Sequence, residues 1–293
     1  MKQKRSVPLK QRGRRFRFRF IVLALVPFAL IVIGFELLPL FYMIMTSLLS
    51  DDETHYSLSQ YVTALTSPFY MKAIQNSLYI ALGSSILGLI AALFTAYSLT
   101  RLPERARDRL LTLSNMTSNF AGVPLAFAYI ILLGNNGVFT LLLKSWGLDV
   151  LTINLYSWTG LVLVYVYFQV PLATLLLYPV YYGVQERWRE AASLLGAGSF
   201  AYWRRIALPI LAPGIAGTFV ILFANAMGAY ATAYALVGSN FNLLAVRIGA
   251  LVSGDVITRP QLGSALAVLL GLIMLIAMSL SQWFMRRVRK DLA

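Results

Sequence analysis

Residues 186–209 read ERWREAASLLGAGSFAYWRRIALP, and this segment indicates how the rest of the chain is organised. Its first ten residues favour a helix, and Gly196 and Gly198 can end that helix because glycine adopts left-handed φ at low cost. Three apolar residues then recur at helical spacing: Phe200, Trp203 and Ile206. They predict a second short amphipathic helix, and Pro209 is suited to open the helix that follows. Such a helix–turn–helix favours a docking site for another protein, and the alternative is a helix that lies on the membrane surface with its arginines toward the lipid headgroups.

The composition around this segment is that of a membrane protein. Hydrophobic residues make up 59% and charged residues 12% of the 293 positions, which leaves too little polar surface for a soluble body. Apolar runs long enough to cross a hydrocarbon layer of roughly 30 Å predict six helices. They lie approximately at residues 20–49, 77–100, 110–133, 158–182, 210–237 and 262–285. We therefore expect an all-α integral membrane protein with six transmembrane helices.

The distribution of basic residues predicts the orientation. Residues 1–19 hold nine Lys or Arg and no acid, and residues 101–109, 183–206 and 286–293 hold four each. The three loops on the opposite side hold one, one and two. Because Lys and Arg accumulate on the cytoplasmic side, both termini and the 183–206 loop are predicted to be cytoplasmic. Topology and contact with anionic membrane lipid account for most of the net charge of +14, so nucleic-acid binding is not required.

Several kinds of chemistry are missing from the sequence. The chain contains no cysteine and a single histidine, His55, which excludes thiolate and His-based metal sites. It contains no Gly-x-x-x-x-Gly-Lys-Ser/Thr loop, so any ATP hydrolysis is expected on a separate subunit. Neither His-Glu-x-x-His nor Gly-x-Ser-x-Gly occurs. We expect a transport subunit without a cofactor, a metal or a catalytic residue.

One motif in the 183–209 loop identifies a family. Its residues, in their spacing along the chain, are Glu190, Ala191, Ala192, Gly196, Ile206, Leu208 and Pro209. This pattern resembles the EAA loop of permease subunits of bacterial ABC importers, which have a MetI-like fold in the plasma (inner) membrane. The resemblance implies coupling helices between spans 4 and 5 that insert into a cleft of an ATP-binding subunit. It places Glu190, Ala191 and Ala192 at the contact and Gly196 at the bend.

The resemblance also implies partners and a domain plan. The partners are a dimer of ATP-binding subunits, a second permease subunit, for which a heterodimer is expected, and an extracytoplasmic solute-binding protein. The expected units are a basic cytoplasmic tail at 1–19, a first transmembrane helix at 20–49, an outer loop at 50–75, a core ABC-permease domain at 76–285 and a second basic tail at 286–293.

Shorter motifs bear on the transported solute. Asn76-Ser77-Leu78 and Ala96-Tyr97-x-Leu99-x-Arg101 resemble the start of the family's core domain. Asn242-Leu243-Leu244 and Gly263-Ser264-Ala265 are most similar to the spermidine/putrescine branch, so a polyamine is the expected solute. Aminoethylphosphonate, iron and thiamine permeases share the same plan and stay open as alternatives.

Polar residues inside the predicted spans are candidates for the solute path. On span 5, Asn225, Gly228 and Thr232 share a helical face. Span 3 has a similar face, made of Asn115, Ser118, Asn119 and Gly122. Small and amide residues at this spacing also join helices to one another, so packing is the alternative on both spans.

Two further polar residues have alternatives of their own. Gln169 either faces solute or satisfies the backbone carbonyl that Pro171 leaves without a donor. Glu36 is the one acid inside a predicted span and is suited to a cationic solute, although its depth also places it near the outer headgroups. Two other function classes also remain: a stand-alone secondary transporter or channel, and a membrane scaffold that recruits a cytoplasmic protein.

Overall fold

The computed structural model describes residues 25–290 except 149, 151 and 254–257. Its helices in chain order are α1 (Leu25–Ser47), α2 (Ser59–Thr66), α3 (Pro68–Leu99), α4 (Glu104–Asn119), α5 (Val123–Leu133), α6 (Val138–Ser145), α7 (Trp158–Tyr181), α8 (Glu186–Leu194), α9 (Ser199–Met227), α10 (Tyr230–Val237), α11 (Leu244–Ser253) and α12 (Pro260–Lys290). The described part also contains one isolated bridge, between Leu49 and Tyr56. The predicted tail at 1–19 and the first residues of the predicted span 20–49 lie outside the described residues, as do 291–293.

Six helical segments are long and apolar enough to cross a membrane. They are α1, α3, α5 together with α6, α7, α9 and the Pro260–Arg287 part of α12. The expected all-helical class and the number of candidate spans are thus confirmed. Helix α12 continues to Lys290, so the first part of the predicted 286–293 tail is helical.

The third predicted span is wrong in its bounds. A single helix was expected over 110–133, but the chain leaves helix at Phe120 and resumes at Val123. Gly122 has φ of +76°, a left-handed conformation that interrupts an α-helix. The polar helix α4 therefore precedes the break, and the third candidate span is instead Val123–Ser145, in which a turn at 134–137 separates α5 from α6.

The core lies where α3, α7 and α9 pack together. Small buried residues on α3 let the helices approach closely: Ala81, Ser84, Ser85, Ala92 and Ala96. A Cβ placed on Gly88 would lie 3.1 Å from the Gln169 side chain on α7, and one on Gly214 of α9 would lie 2.5 Å from Val180. Larger residues of α7, including Leu161 and Leu177, fill the remaining space.

Two π-helical turns occur where a proline follows. The turns are Ile33–Leu37 in α1 and Trp203–Ala207 in α9. In each, a backbone N–H donates to the carbonyl five residues before it: Leu38 to Ile33, and Leu208 to Trp203. The next residue in both cases is a proline, which has no N–H to donate. The wider turn therefore accommodates the missing donor without ending the helix.

The bundle has two ends of different character. One end carries the arginines Arg101, Arg189 and Arg287, and we call it the basic end. At the opposite end, the Asp51 carboxylate accepts hydrogen bonds from Gln60, at 3.0 Å, and from Arg259. The bond from Gln60 ties the loop after α1 to α2, and the bond from Arg259 ties it to the residue before α12.

Candidate docking helix and transport path

Helix α8 ends in a Schellman turn at Gly196. Gly196 has φ of +76°, which residues with a Cβ adopt at a cost. The Ala197 N–H donates to the Ala192 carbonyl at 2.9 Å, and the Gly196 N–H donates to the Ser193 carbonyl at 3.0 Å. These are the two hydrogen bonds of that motif. The glycine of the EAA-like pattern thus occupies the position where the backbone requires one.

One face of α8 packs on the bundle and the rest is open. Ala192 is buried against Tyr202 and Ala207 of α9. By contrast, Leu194 and Leu195 are 89% and 88% exposed. These two highly exposed leucines at the end of a polar helix form an apolar patch on the basic end of the bundle.

Charged and aromatic side chains extend this patch. Glu190 and Ala191 are exposed, and Phe200 at the start of α9 is 78% exposed. Glu186 pairs with Arg189 at 3.6 Å, whereas Glu190 has no basic partner within 4 Å in the described part of the chain. A groove of about 300 Å³ runs beside α8 and includes Glu190 in its lining. We call Glu190, Ala191, Leu194, Leu195 and Phe200 the α8 surface.

The remaining residues of the motif lie at the start of α9. The expectation of a separate short helix before Pro209 is wrong, because helix runs from Ser199 to Met227 and passes through the π-helical turn. Ile206 is half-buried against the Ala192 cluster, and Leu208 is exposed. Pro209 is therefore inside α9 rather than at its first turn.

The predicted polar face of span 5 does not form. Helix α9 ends at Met227, and Gly228 and Ala229 separate it from α10, so positions across this break do not follow helical spacing. Asn225 and Gly228 are exposed, while Thr232 is buried. The Thr232 hydroxyl accepts a hydrogen bond from the Gly122 N–H at 2.9 Å and so joins the break before α5 to α10. This bond gives Thr232 a role in packing, and its place on the solute path stays a prediction.

Asn119 and its neighbours end α4 instead of lying inside a span. Asn115 and Asn119 are exposed, and Asn119 donates to the Asn115 carbonyl at 2.8 Å. Ser118 makes a similar bond to the same carbonyl at 3.0 Å. These bonds are local to one helical turn, which leaves the exposed amide face of α4 available to water or to another chain.

Gln169 is completely buried between three helices. Its amide nitrogen donates to the Ser84 hydroxyl of α3 and to the Leu222 carbonyl of α9, both at 3.3 Å. Its partner is therefore not the Tyr167 carbonyl that Pro171 leaves without a helical donor. The Gln169 amide oxygen is buried without a hydrogen bond among the described residues, as is the Ser85 hydroxyl.

Glu36 lies in the π-helical turn of α1 and is exposed. Eleven residues of helix follow it before the end of α1 at Ser47, a rise of roughly 16 Å, so it is well inside α1 and not at its end. None of the apolar window of α1 is buried within the described part of this chain. Another molecule or lipid must cover that surface.

Two motifs that carry the family resemblance contact each other at the opposite end. The Asn76 amide donates to the Asn242 carbonyl at 3.0 Å, and the Leu244 N–H donates to the Ser77 hydroxyl at 2.8 Å. Arg247, which no sequence motif indicated, donates to the Asn242 side chain at 2.7 Å. Burial lowers the pKa of Arg247. Asn76, Ser77 and Asn242 thus hold α11 against α3, which gives these residues of both motifs a role in packing.

Comparison with known proteins agrees with this architecture. The family described as binding-protein-dependent transport system inner membrane component matches residues 84–290. The chain belongs to this family of ABC importer permeases. The expected family is thereby confirmed, and the permease is a multi-pass protein of the inner membrane.

Curated relatives of the permease carry several solute names. The sulfate transport system permease protein CysW of Escherichia coli K12 is 27% identical over 229 residues, which cover 77% of each chain. The spermidine/putrescine transport system permease protein PotB of Haemophilus influenzae is 25% identical over 253 residues, which cover 84% of this chain and 87% of the relative. These relatives are membrane components of transporters rather than enzymes.

Solved structures share the fold. A chain of a bacterial ABC transporter that imports alginate superimposes with a TM-score of 0.73 at 18% identity, covering 94% of the permease and 98% of that chain. A chain of the MetNI methionine ABC transporter superimposes with a TM-score of 0.56 at 16% identity, covering 74% of the permease and 95% of that chain.

Proposed function

We propose that the permease moves a small polar solute across the inner membrane and that an ATP-binding subunit docks on the α8 surface. The observation that carries this proposal is the exposure of Leu194 and Leu195 beside Glu190, which pairs with no base among the described residues. Apolar patches with a polar rim on a folded chain mark protein contacts. Closure of the ATP-binding subunits would then favour one state of the permease through its different affinity for the two states.

The composition of this face argues against a helix that lies on lipid. Residues three, four and seven apart share a helical face, so Arg187, Glu190 and Leu194 are neighbours on α8. A lipid-facing helix separates its charges from its apolar side chains. The mixture on α8 is typical of a protein interface instead.

The orientation follows from the same assignment. With the ATP-binding subunit on α8, the basic end of the bundle faces the cytoplasm, which agrees with the excess of Lys and Arg there. The opposite end, with its α2 and α11 helices, then receives solute from an extracytoplasmic binding protein.

A second permease subunit is proposed to cover α1 and the exposed polar residues of α4 and α9. A carboxylate or amide that faces hydrocarbon is costly, and Glu36 lies well inside α1. Asn225 lies near the end of the apolar helix α9 and is also exposed. A protein partner that hydrogen-bonds both groups removes this cost. We propose a heterodimer, in line with the expectation from the family.

The charge of the solute distinguishes the candidate substrates. Spermidine and putrescine are cations, whereas sulfate is an anion, and both classes occur among the names of the relatives. We propose the polyamines, so a purified binding protein from the same importer should bind spermidine in preference to sulfate in calorimetry. Preference for sulfate would overturn the polyamine assignment and leave the importer intact.

The docking assignment is tested by purifying the tagged chain in mild detergent from its native cell. Mass spectrometry is expected to find an ATP-binding subunit that carries a Gly-x-x-x-x-Gly-Lys-Ser/Thr loop. The double variant Glu190→Ala with Gly196→Trp should lose this subunit. The matched control, Glu104→Ala with Gly147→Trp, also removes an exposed acid and a glycine with positive φ and open surroundings, and it should retain the subunit.

The other function classes give different results. A permease that is isolated alone but still drives uptake from an ion gradient is a secondary transporter. A chain that retains a cytoplasmic partner but supports no solute flux is a scaffold. Either result would contradict the importer mechanism for this chain.

A further inference from the structure

Helix α8 has a narrow connection to the transmembrane helices. Its buried residue Ala192 belongs to one apolar cluster with Tyr202 and Ala207, which are both in the first part of α9. The π-helical turn Trp203–Ala207 follows directly, and Pro209 lies one residue beyond Leu208. A widened turn next to a proline bends more readily than regular helix. We therefore expect the turn to bend and to absorb any movement that α8 passes to the bundle through α9 alone.

A row of aromatic rings provides a second connection. The Tyr202 and Trp203 rings are 6.1 Å apart and the Trp203 and Tyr97 rings are 5.3 Å apart, each pair at an interplanar angle of 76°. The Tyr97 and Tyr181 rings follow at 5.9 Å. Edge-to-face contacts of this kind are directional. The row links the start of α9 to the ends of α3 and α7, which hold Tyr97 and Tyr181.

The far end of the row is fixed to α3. The Tyr181 hydroxyl donates to the Leu93 carbonyl at 3.1 Å, and the Arg101 guanidinium lies 4.7 Å from the centre of the Tyr97 ring. A cavity of about 330 Å³ lies beside the rings and is also lined by Glu186 and Arg189 of α8. Because this space separates α8 from α3 and α7, the rings bridge a gap that packing does not fill.

We propose that Trp203 is a positioning residue that transmits the movement of α8 to the basic end of α3 through its contact with Tyr97. This role rests on the proposed docking of an ATP-binding subunit on the α8 surface. It goes beyond the EAA-like motif, whose residues all lie on α8 and α9 and in the turn between them. The contact joins residues 106 positions apart in the chain, so it carries movement between helices that the backbone does not connect directly.

Hydrogen–deuterium exchange of the complete importer tests this role, because it reports α8 and α3 separately. In the parent complex, ATP with vanadate is expected to change exchange in residues 186–200 and in residues 93–101. In Trp203→Leu, the change in 186–200 should persist, while the change in 93–101 should fall roughly three- to ten-fold, which corresponds to the loss of one edge-to-face pair. Trp203→Phe keeps an aromatic ring and should restore the change in residues 93–101.

A matched control uses another tryptophan of the same end. Trp283 of α12 contacts Arg287 and lies outside the aromatic row, so Trp283→Leu should leave both changes intact. An unchanged response of 93–101 in Trp203→Leu would overturn the role of Trp203, as would a parent complex without any response there. If 186–200 does not respond in the parent complex, the docking of the ATP-binding subunit is wrong, and the role of Trp203 falls with it.

Discussion

At the scale of single residues, Gln169 donates two hydrogen bonds but has a buried amide oxygen that accepts none. Its amide nitrogen binds to α3 and α9, but its amide oxygen is buried without a donor among the described residues. A buried acceptor without a partner costs about 1–3 kcal/mol, which is similar to what two buried hydrogen bonds contribute. The side chain therefore joins three helices with little net stabilisation of the present arrangement.

Two variants of Gln169 are expected to separate these effects. Gln169→Leu removes the two bonds and the unmet oxygen together, so the free energy of unfolding should change by less than about 1 kcal/mol. Gln169→Glu places a carboxyl group of the same shape in a fully buried site, so it should destabilise the permease by about 3 kcal/mol or more at pH 7. Thermal unfolding of the purified chain in detergent measures both. A larger loss of stability in Gln169→Leu than in Gln169→Glu would contradict this account of the site.

Gly196 and Gly198 are a matched pair for the turn after α8. At both glycines, the position that a Cβ would occupy is open to a distance of 4 Å in the described part of the chain, but Gly196 has φ of +76° and Gly198 has φ of −68°. Gly196→Ala should therefore destabilise the turn by about 1 kcal/mol, and Gly198→Ala should have little effect. Faster hydrogen exchange at residues 192–197 in Gly196→Ala alone is the expected result. Equal effects of the two substitutions would show that backbone conformation does not set this turn.

At the scale of helices, apolar runs predicted the number of candidate spans but not where helices break. Average hydropathy stays high across Gly228, and the chain nevertheless leaves helix there. The break at Gly122 has a partner 110 residues away, the Thr232 hydroxyl, which no local pattern reveals. The glycines themselves were the available signal, because each is a weak point in a helix. The contacts that stabilise the breaks are tertiary and needed the structure.

The connection between α1 and α12 is expected to depend on pH. Hydrogen bonds from Gln60 and from Arg259 hold the pKa of Asp51 below its usual value of 3.8. A lowered pKa in the folded chain means that these bonds stabilise the loop above that usual value and are lost as the pH falls through the folded value. The chain has no cysteine, so a fluorophore on Thr54→Cys reports this loop within the permease. Its anisotropy should fall as the pH decreases below about 4.

Asp51→Asn provides the control for this titration. The amide cannot ionise, so the loop should have low anisotropy at every pH and should show no transition near pH 4. A transition that persists in Asp51→Asn would assign the pH dependence to another acid, such as Glu53, which accepts a hydrogen bond from Gln261 at 2.7 Å.

At the scale of the whole molecule, we expect the proposed pairing with a second permease to depend on Glu36. If a partner hydrogen-bonds this carboxylate, Glu36→Gln should reduce the second permease recovered per ATP-binding subunit about ten-fold or more. Tyr42→Phe removes a hydroxyl from the same exposed helix without a change of charge and should retain the partner. Quantitative mass spectrometry of the purified importer measures both. Full recovery of the second permease with Glu36→Gln would place Glu36 outside the subunit contact.

The sequence predicted the turn after α8 better than the continuity of the candidate spans. The EAA-like motif and its glycine lie within 24 residues, so local spacing is enough to recognise them. The predicted polar faces of spans 3 and 5 assume continuous helices, and the breaks at Gly122 and Gly228 invalidate that assumption. Trp203 and Tyr97 stand far apart in the chain, so nothing in the sequence indicates that their rings meet.

Photo-crosslinking from Leu195 tests the central claim most directly. Leu195 is 88% exposed on the α8 surface, and Tyr56 at the opposite end is 70% exposed and serves as the control. Each is replaced in turn by p-benzoylphenylalanine in the native cell, which is then irradiated. We expect an adduct with an ATP-binding subunit from position 195 and none from position 56. The absence of that adduct at 195, or its appearance at 56, would contradict docking on α8.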